Sequence, residues 1–214
     1  MVMYNPAHFE ESRVEMMHQL IADYPLGTVV TNGPEGLVAN HIPFLVHRRS
    51  GDRGTLIGHV ARNNDMWRDL ERTPEALVVF QAVDGYITPN WYASKREHHQ
   101  VVPTWNYAVV HAYGPIVIHE DPKWLRGVVG RLTKHFETAE PIPWKMADAP
   151  SDFIASQLDA IVGIEIPITR IIGKWKTSQN RTLADREGVI AGLTERGGAG
   201  DAEMAELVRA TLPS

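Results

Sequence analysis

Hydroxyl, cationic and flat aromatic side chains gather between Ile87 and Tyr113. Its first half runs Ile-Thr-Pro-Asn-Trp-Tyr-Ala-Ser-Lys-Arg and carries Trp91, Tyr92, Ser94 and Lys95. Pro89 would interrupt a central strand ladder there, so this half reads as a loop. The second half, Val101 to Ile118, is almost wholly β-branched or aromatic and predicts a long strand or hairpin that carries Thr104, Trp105 and Asn106. Cations and hydroxyls suit a phosphate, and large flat side chains suit an aromatic ring. Together they point to a pocket for a phosphorylated aromatic cofactor. The competing reading is structural: Trp91, Tyr92, Trp105, Tyr107 and Tyr113 as core and barrel wall, Lys95-Arg96 as a solvated turn.

Two further polar clusters interrupt the apolar framework. Gly58 to Asn64 lies at a strand-to-helix junction, where Arg62 and a helix N-terminus would hold an anion, or where Arg62 is only a surface residue beside a cap. Lys174 to Arg181 packs lysines, hydroxyls, amides and an arginine into one run, a grip for phosphate or carbonyl, or else a solvated helix start. No Gly-rich dinucleotide fingerprint, P-loop or Gly-x-Ser-x-Gly elbow is present. The 10 histidines include the pair His98-His99 but no His-Glu-x-x-His spacing, so no metal site is expected. His41, His59 and His111 fall on predicted strands as hydrogen-bonded structural residues. A haem ligand among His98, His99, His111 or His119 stays open.

The elements that must position these clusters are mostly short strands. Apolar spacing predicts an amphipathic helix over Phe9–Tyr24, ended by Pro25. Strands follow at 27–31 and 37–47 around a turn at Asn32-Gly33 and Gly36, then at 55–60. A short helix is expected over 61–70, a strand at 76–81, and a turn at Val83-Asp84-Gly85 leading to 86–88. Helices are expected from Pro122 and from Ser151, a second long β segment at 161–175, and helical sequence after Asn180. The expected fold class is α+β, mainly β, with a barrel centre, peripheral helices and a C-terminal helical extension. Residues 1–196 form the barrel domain in this reading; residues 197–214 form a flexible joint and a last helix.

Composition sets the outer limits. The chain has 214 residues, 43% hydrophobic and 22% charged, as expected of a globular protein with a substantial core. No apolar run is long enough to span a membrane and no secretory signal is visible, which with zero cysteines is compatible with a cytoplasmic home. A net charge of −5 argues against a non-specific nucleic-acid surface.

Taken in order, the clusters resemble one family. Met3-Tyr4-Asn5-Pro6 with Phe9, Gly58-His59-Val60-Ala61-Arg62-Asn63, Phe80-Gln81, Trp91-Tyr92-Ala93-Ser94-Lys95, Val102-Pro103-Thr104-Trp105-Asn106-Tyr107, Asp148-Ala149-Pro150 and Ser178-Gln179-Asn180-Arg181 resemble the PaiB family of FMN-binding negative transcriptional regulators. The resemblance runs from Met3 to about Leu193. It implies an FMN-binding split β-barrel, related to pyridoxamine phosphate oxidase-like proteins, in a homodimer with two flavin sites at the subunit interface. Carried over residue by residue, Arg62, Ser94 and Lys95 would lie near the phosphate. His59, Asn63, Trp105 and Asn106 would lie near the ring, and Trp91, Tyr92 and Thr104 are further cofactor-binding candidates. Lys176, Gln179 and Arg181 would come from the second subunit. Asn90 stands where the family usually has serine, and the His-rich stretch after Arg96 favours the haem alternative slightly more.

Three functions follow as expectations. The first is a regulatory or sensing flavoprotein, with any repression exerted indirectly, since no helix-turn-helix is visible. The second is an FMN-dependent oxidoreductase, in which His41, His59 or Tyr92 would move protons. The third is a haem-binding split-barrel protein.

Overall fold

The computed structural model describes residues 3–68 and 70–213, the side chain of Glu71 excepted. In chain order the elements are β1 (Glu10–Glu11), α1 (Val14–Asp23), β2 (Leu26–Gly33), β3 (Gly36–Pro43), β4 (Leu45–His47) and β5 (Thr55–Ala61). β6 (Ala76–Ile87), α2 (Ser94–His98), β7 (Thr104–Gly114), β8 (Val117–His119) and α3 (Pro122–Glu137) follow. The chain ends with α4 (Ser151–Asp159), β9 (Ile161–Pro167), β10 (Arg170–Lys176), α5 (Leu183–Arg196) and α6 (Asp201–Arg209). The strands make a six-stranded sheet in the order β1-β10-β7-β6-β2-β3 and a four-stranded sheet in the order β4-β5-β9-β8. Neither sheet closes on itself. No helix among the described residues is long and apolar enough to cross a membrane.

Contacts divide the chain into two compact units, and β6, β7 and β10 run from one into the other. The first unit takes the chain up to Arg13, then Gln81–Val110, then Ile172 onward. Its core joins Ile87 and Tyr92 to Val189, Leu193, Met204 and Val208 of α5 and α6. Thr182 caps α5 by accepting from the Asp185 amide, and Gly197 at φ 60° ends it. Arg196 then clamps Asp201 at the start of α6 through two guanidinium bonds, at 2.7 and 2.5 Å. The guanidinium holds the Asp201 carboxyl below its ordinary range.

The second unit takes Val14–Phe80 and His111–Ile171. β5 pairs antiparallel with β9 along its whole length, and β4 pairs with the first residues of β5. α3 lays Val128 and Leu132 on Ile57, with Leu45 and Trp124 at the edge. Asp121 starts α3 by accepting from Lys123 and Trp124 amides, and Pro122 fills the first helical position, where no donor is needed. Gly127 lies inside α3, and the nearest atom to an added Cβ is the flexible Arg131 guanidinium at 3.6 Å. Gly127→Ala is therefore expected to stabilise the protein by about 0.5–1 kcal/mol, because it costs the unfolded chain freedom and meets no obstacle. Thermal denaturation checks this, and a lower melting temperature would count against it.

Several expectations need correction. The helix expected over 61–70 is replaced by short 3₁₀ turns at Asp65–Trp67 and Leu70–Arg72. The Asn64 side chain takes the Met66 amide at 3.0 Å, and the Trp67 indole takes the Arg62 carbonyl at 3.1 Å. Both groups are thereby lost to a helical ladder. The turn expected at Val83-Asp84-Gly85 is absent, and β6 is continuous. Its buried positions are even-numbered up to Ala82 and odd-numbered from Gly85, a one-residue slip of the kind an inserted residue produces. The expected 37–47 strand breaks at Phe44, whose amide bonds the Pro25 carbonyl, so that 45–47 joins the other sheet. The first helix starts only at Val14, because Glu10–Glu11 pair with Gly173 and Lys174 instead.

Candidate functional site

In the first unit the end of β10 and the start of β7 are tied together by one ammonium group. Lys176 Nζ donates to Thr104 Oγ1 and to the Trp105 carbonyl, each at 2.5 Å. Burial depresses the Lys176 pKa, and the Lys174 and Arg181 charges push it the same way. Lys174 is buried; it donates to the Tyr4 carbonyl at 2.9 Å and lies 5.4 Å from the Tyr107 ring. Arg181 stands 4.6 Å over the Tyr92 ring. Among the described residues none of these three cations makes an ion pair. Beside them the Thr177 hydroxyl is buried without a hydrogen-bond partner among the described residues. Glu10 is the cross-strand neighbour of Lys174, but the charges that act on Lys176 are those of Lys174 and Arg181, and such a concentration of positive charge is the electrostatic condition for binding an anion.

The turn that carries these groups is held from several sides. Gln179 accepts from the Thr177 amide at 2.8 Å and donates to the Trp175 carbonyl at 2.6 Å. Ser178 takes the left-handed conformation at φ 68°, and its hydroxyl accepts from Asn106 Nδ2 at 2.9 Å in the interior. A non-glycine residue held at positive φ is a mild strain that the surrounding bonds must maintain.

Alternation along β7 separates the candidates. Asn106 is buried with Ala108, Val110 and Ala112, whereas Trp105 and Tyr107 lie on the opposite face. Trp105 is 54% exposed and meets the Tyr86 ring edge-on at 5.9 Å. Tyr4 is also exposed. This end of the first unit therefore offers an aromatic surface next to the buried Lys174 and the half-buried Lys176 and Arg181.

The other first-unit candidates already have partners. Ser94 is buried, and its amide and hydroxyl both donate to the Asp185 carboxylate, at 2.9 and 2.8 Å. Lys95 donates to Asn90 Oδ1. Trp91 packs against α5 where Gly188 and Gly192 leave room, with the Arg196 guanidinium 5.0 Å from its ring.

His59, Arg62 and Asn63 belong to the second unit. Arg62 donates to the carbonyls of Asp159 at 2.8 Å and Ile161 at 3.1 Å and pairs with Glu120, so its guanidinium fixes the α4–β9 corner. His59 and His111 each bury an Nδ1 atom with no partner, and burial pushes both imidazoles below their ordinary pKa. Both therefore protonate less readily in the folded state than in the unfolded chain, where an imidazole titrates near pH 6.5. Stability is then full above that value and declines as pH falls below it, because the unfolded state binds more protons. A His59→Gln, His111→Gln variant is expected to flatten the stability profile between about pH 6.5 and 5. Denaturant titrations across that range check it; an unchanged slope would contradict it. Among the described residues no group of His, Cys, Asp and Glu is arranged to hold a metal ion.

Lys174, Thr177 and Tyr4 were not among the expected site residues. Lys174 and Thr177 lay within the polar run ending at Arg181, but a buried lysine and an unpartnered hydroxyl leave no mark in a sequence.

Known structures share this architecture. The FAD and haem binding protein from Mycobacterium smegmatis aligns over 78% of this chain and 73% of its own at a TM-score of 0.55 and 21% identity. The flavocytochrome Anf3 from Azotobacter vinelandii aligns over 81% and 70% at a TM-score of 0.59 and 14% identity. The fold is the flavin-binding split β-barrel. Residues 3–170 match the profile of a family described as "Putative FMN-binding domain". The protease synthase and sporulation protein PAI 2 of Bacillus subtilis is 32% identical over 98% of both chains. The chain belongs to this FMN-binding family, of which the PaiB proteins are members, and FMN is the cofactor that membership assigns.

Proposed function

We propose that this chain is a regulatory or sensing flavoprotein of the PaiB type, whose cation cluster at the end of β10 holds the FMN phosphate. The observation that carries the reading is Lys176, bonded only to neutral oxygens and acted on by the positive charges of Lys174 and Arg181. A phosphate dianion supplies the missing charge, and the unpartnered Thr177 hydroxyl is a further donor. Trp105 and Tyr107, on the face away from Asn106, offer flat surfaces to a ring. Asn106, Gln179 and Ser178 position the turn, and Ser94 with Asp185 anchors α2 to α5. Bound FMN would supply one- or two-electron redox chemistry. Binding an anion at Lys176 would also favour its charged form, against the burial and repulsion that depress it.

By the PaiB resemblance, Lys176, Gln179 and Arg181 would come from the partner of a homodimer. The exposure of Tyr4, Trp105 and Tyr86 supports a covering surface of that kind. Repression of transcription, in a cytoplasmic setting, would then run through a partner or metabolite, since the net charge of −5 disfavours a direct DNA contact. Haem is the second reading, supported by the buried imidazole of His111, whose Nδ1 has no partner among the described residues and whose pKa burial lowers.

Titration with FMN and with riboflavin, followed by flavin fluorescence, separates phosphate recognition from ring stacking. FMN is expected to bind about tenfold or more tighter, as one or two charge-assisted bonds require. Equal affinities would remove the phosphate assignment. Sedimentation of the flavin-loaded protein tests the homodimer, and a monomer at micromolar concentration would exclude it.

A further inference from the structure

A cleft lined by cations lies in the second unit, where β4 meets the last turns of α3. A cleft of about 450 Å³ opens there, within the range of small-molecule sites. Phe44, Leu45 and Val46 give it an apolar floor. Arg48, Arg131 and Lys134 stand around it, with His47, His135 and the Thr138 hydroxyl, and no carboxylate lines it. In a chain of net charge −5 such a one-sided lining is not a consequence of composition.

The cations have no partners that would account for them. Among the described residues Arg131 and Lys134 make no ion pair. Arg48 donates to Gln19 Oε1 at 2.9 Å, and Gln19 donates in turn to Asp23 at 2.8 Å, so that carboxylate stands one residue behind the lining. The carbonyl end of α3 favours Lys134 and His135 in its last turn. It gives no reason for Arg48, which arrives from β4, or for Arg131, a turn earlier. The floor is fixed from below, since Leu45 and the α3 residue Leu132 pack in one cluster with Ile57.

The cleft is also distinct from the flavin candidates of the same unit. β4 pairs with Thr55, Leu56 and Ile57, at the beginning of β5, whereas His59 and Arg62 lie at and beyond its other end.

We propose that this cleft binds a small organic anion: a carboxylate or phosphate head group on an apolar body. The head group meets the Arg48, Arg131 and Lys134 cations, and the apolar body covers Phe44, Leu45 and Val46. The site stands independently of the flavin assignment, and in a sensing protein it is a place for an effector.

Calorimetry with 2-naphthoate, 1-naphthyl phosphate, inorganic phosphate and 2-naphthalenemethanol tests the proposal on the intact chain. One of the two naphthyl anions is expected to bind at least tenfold more tightly than the neutral alcohol and than inorganic phosphate, at the strength of about one charge-assisted bond. The tighter of the two identifies the head group. An Arg131→Gln, Lys134→Gln variant is expected to lose that advantage while keeping its melting temperature, because both side chains are exposed. Amide shifts in NMR spectra should cluster at residues 44–48 and 131–138. The proposal is overturned if the neutral alcohol or inorganic phosphate binds as tightly as the anions, if the variant retains full affinity, or if the shifts lie elsewhere.

Discussion

Replacing Lys176 and Arg181 together by glutamine should lower FMN affinity by about a hundredfold or more and leave riboflavin affinity nearly unchanged. Each side chain would contribute one charge-assisted bond to the phosphate, about 1.5–3 kcal/mol apiece, and the two losses sum to roughly two to four powers of ten. Neither replacement removes an ion pair among the described residues. What Lys176 does hold is the start of β7, through Thr104 and the Trp105 carbonyl. Glutamine can still donate there, so the fold should survive, and thermal denaturation of the variant serves as the control. An FMN affinity within threefold of the original would place the phosphate elsewhere. A parallel loss of riboflavin binding would mean that the variant had disturbed the ring surface instead.

The largest expected effect on stability comes from a single methyl group. Gly188 lies in α5 directly against the 3₁₀ turn Pro89–Trp91, and a Cβ at 188 would stand 2.0 Å from the Trp91 carbonyl oxygen. The obstacle is backbone, which cannot rotate aside as a side chain would. Four residues on, a Cβ at Gly192 would stand 2.2 Å from the Trp91 ring. The two glycines thus form a flat patch on α5 that accepts the tryptophan. Gly188→Ala should force the helix away from Trp91 and draw its Val189 and Leu193 off Ile87 and Tyr92 in the core. The cost should be about 3 kcal/mol, the upper range for overpacking, or about 6–12 °C in melting temperature for a chain of this size. Calorimetry measures it directly. The contrast with Gly127→Ala, the same chemical change with the opposite sign, makes the argument one about contacts and not about glycine in helices. A melting temperature unaffected by Gly188→Ala would show that α5 does not seat on Trp91 as described.

The parts of this fold that a sequence could show were those governed by local rules. α3 was legible because Asp121, Pro122 and the spacing of Leu125, Val128 and Leu132 all state the same helix. The strands were legible from β-branched composition, and the family from the order of its short motifs. The helix expected after Ala61 failed because the Asn64 and Trp67 side chains captured the backbone groups a helix needs, which periodicity does not register. The turn expected at Val83-Asp84-Gly85 failed because Asp and Gly in a strand can mark an irregularity as well as an end. The site was legible as a set of residue types but not as a geometry. Ser94 reads as a phosphate donor until its buried partner Asp185, ninety-one residues away, is seen. Arg62 likewise reads as an anion ligand until its bonds to the Asp159 and Ile161 carbonyls are counted. Lys174 reads in the sequence as one cation of a polar run, and nothing local shows that it is buried while Lys176 and Arg181 are only half-buried.

The most direct test of the flavin reading is the absorbance spectrum of the purified protein, incubated with FMN or with haemin and passed through gel filtration. A flavin spectrum that elutes with the protein after FMN, together with no retained haem band after haemin, is the expected result. A retained haem band with no retained flavin would turn attention to His111 and contradict the assignment of the Lys176 cluster to FMN.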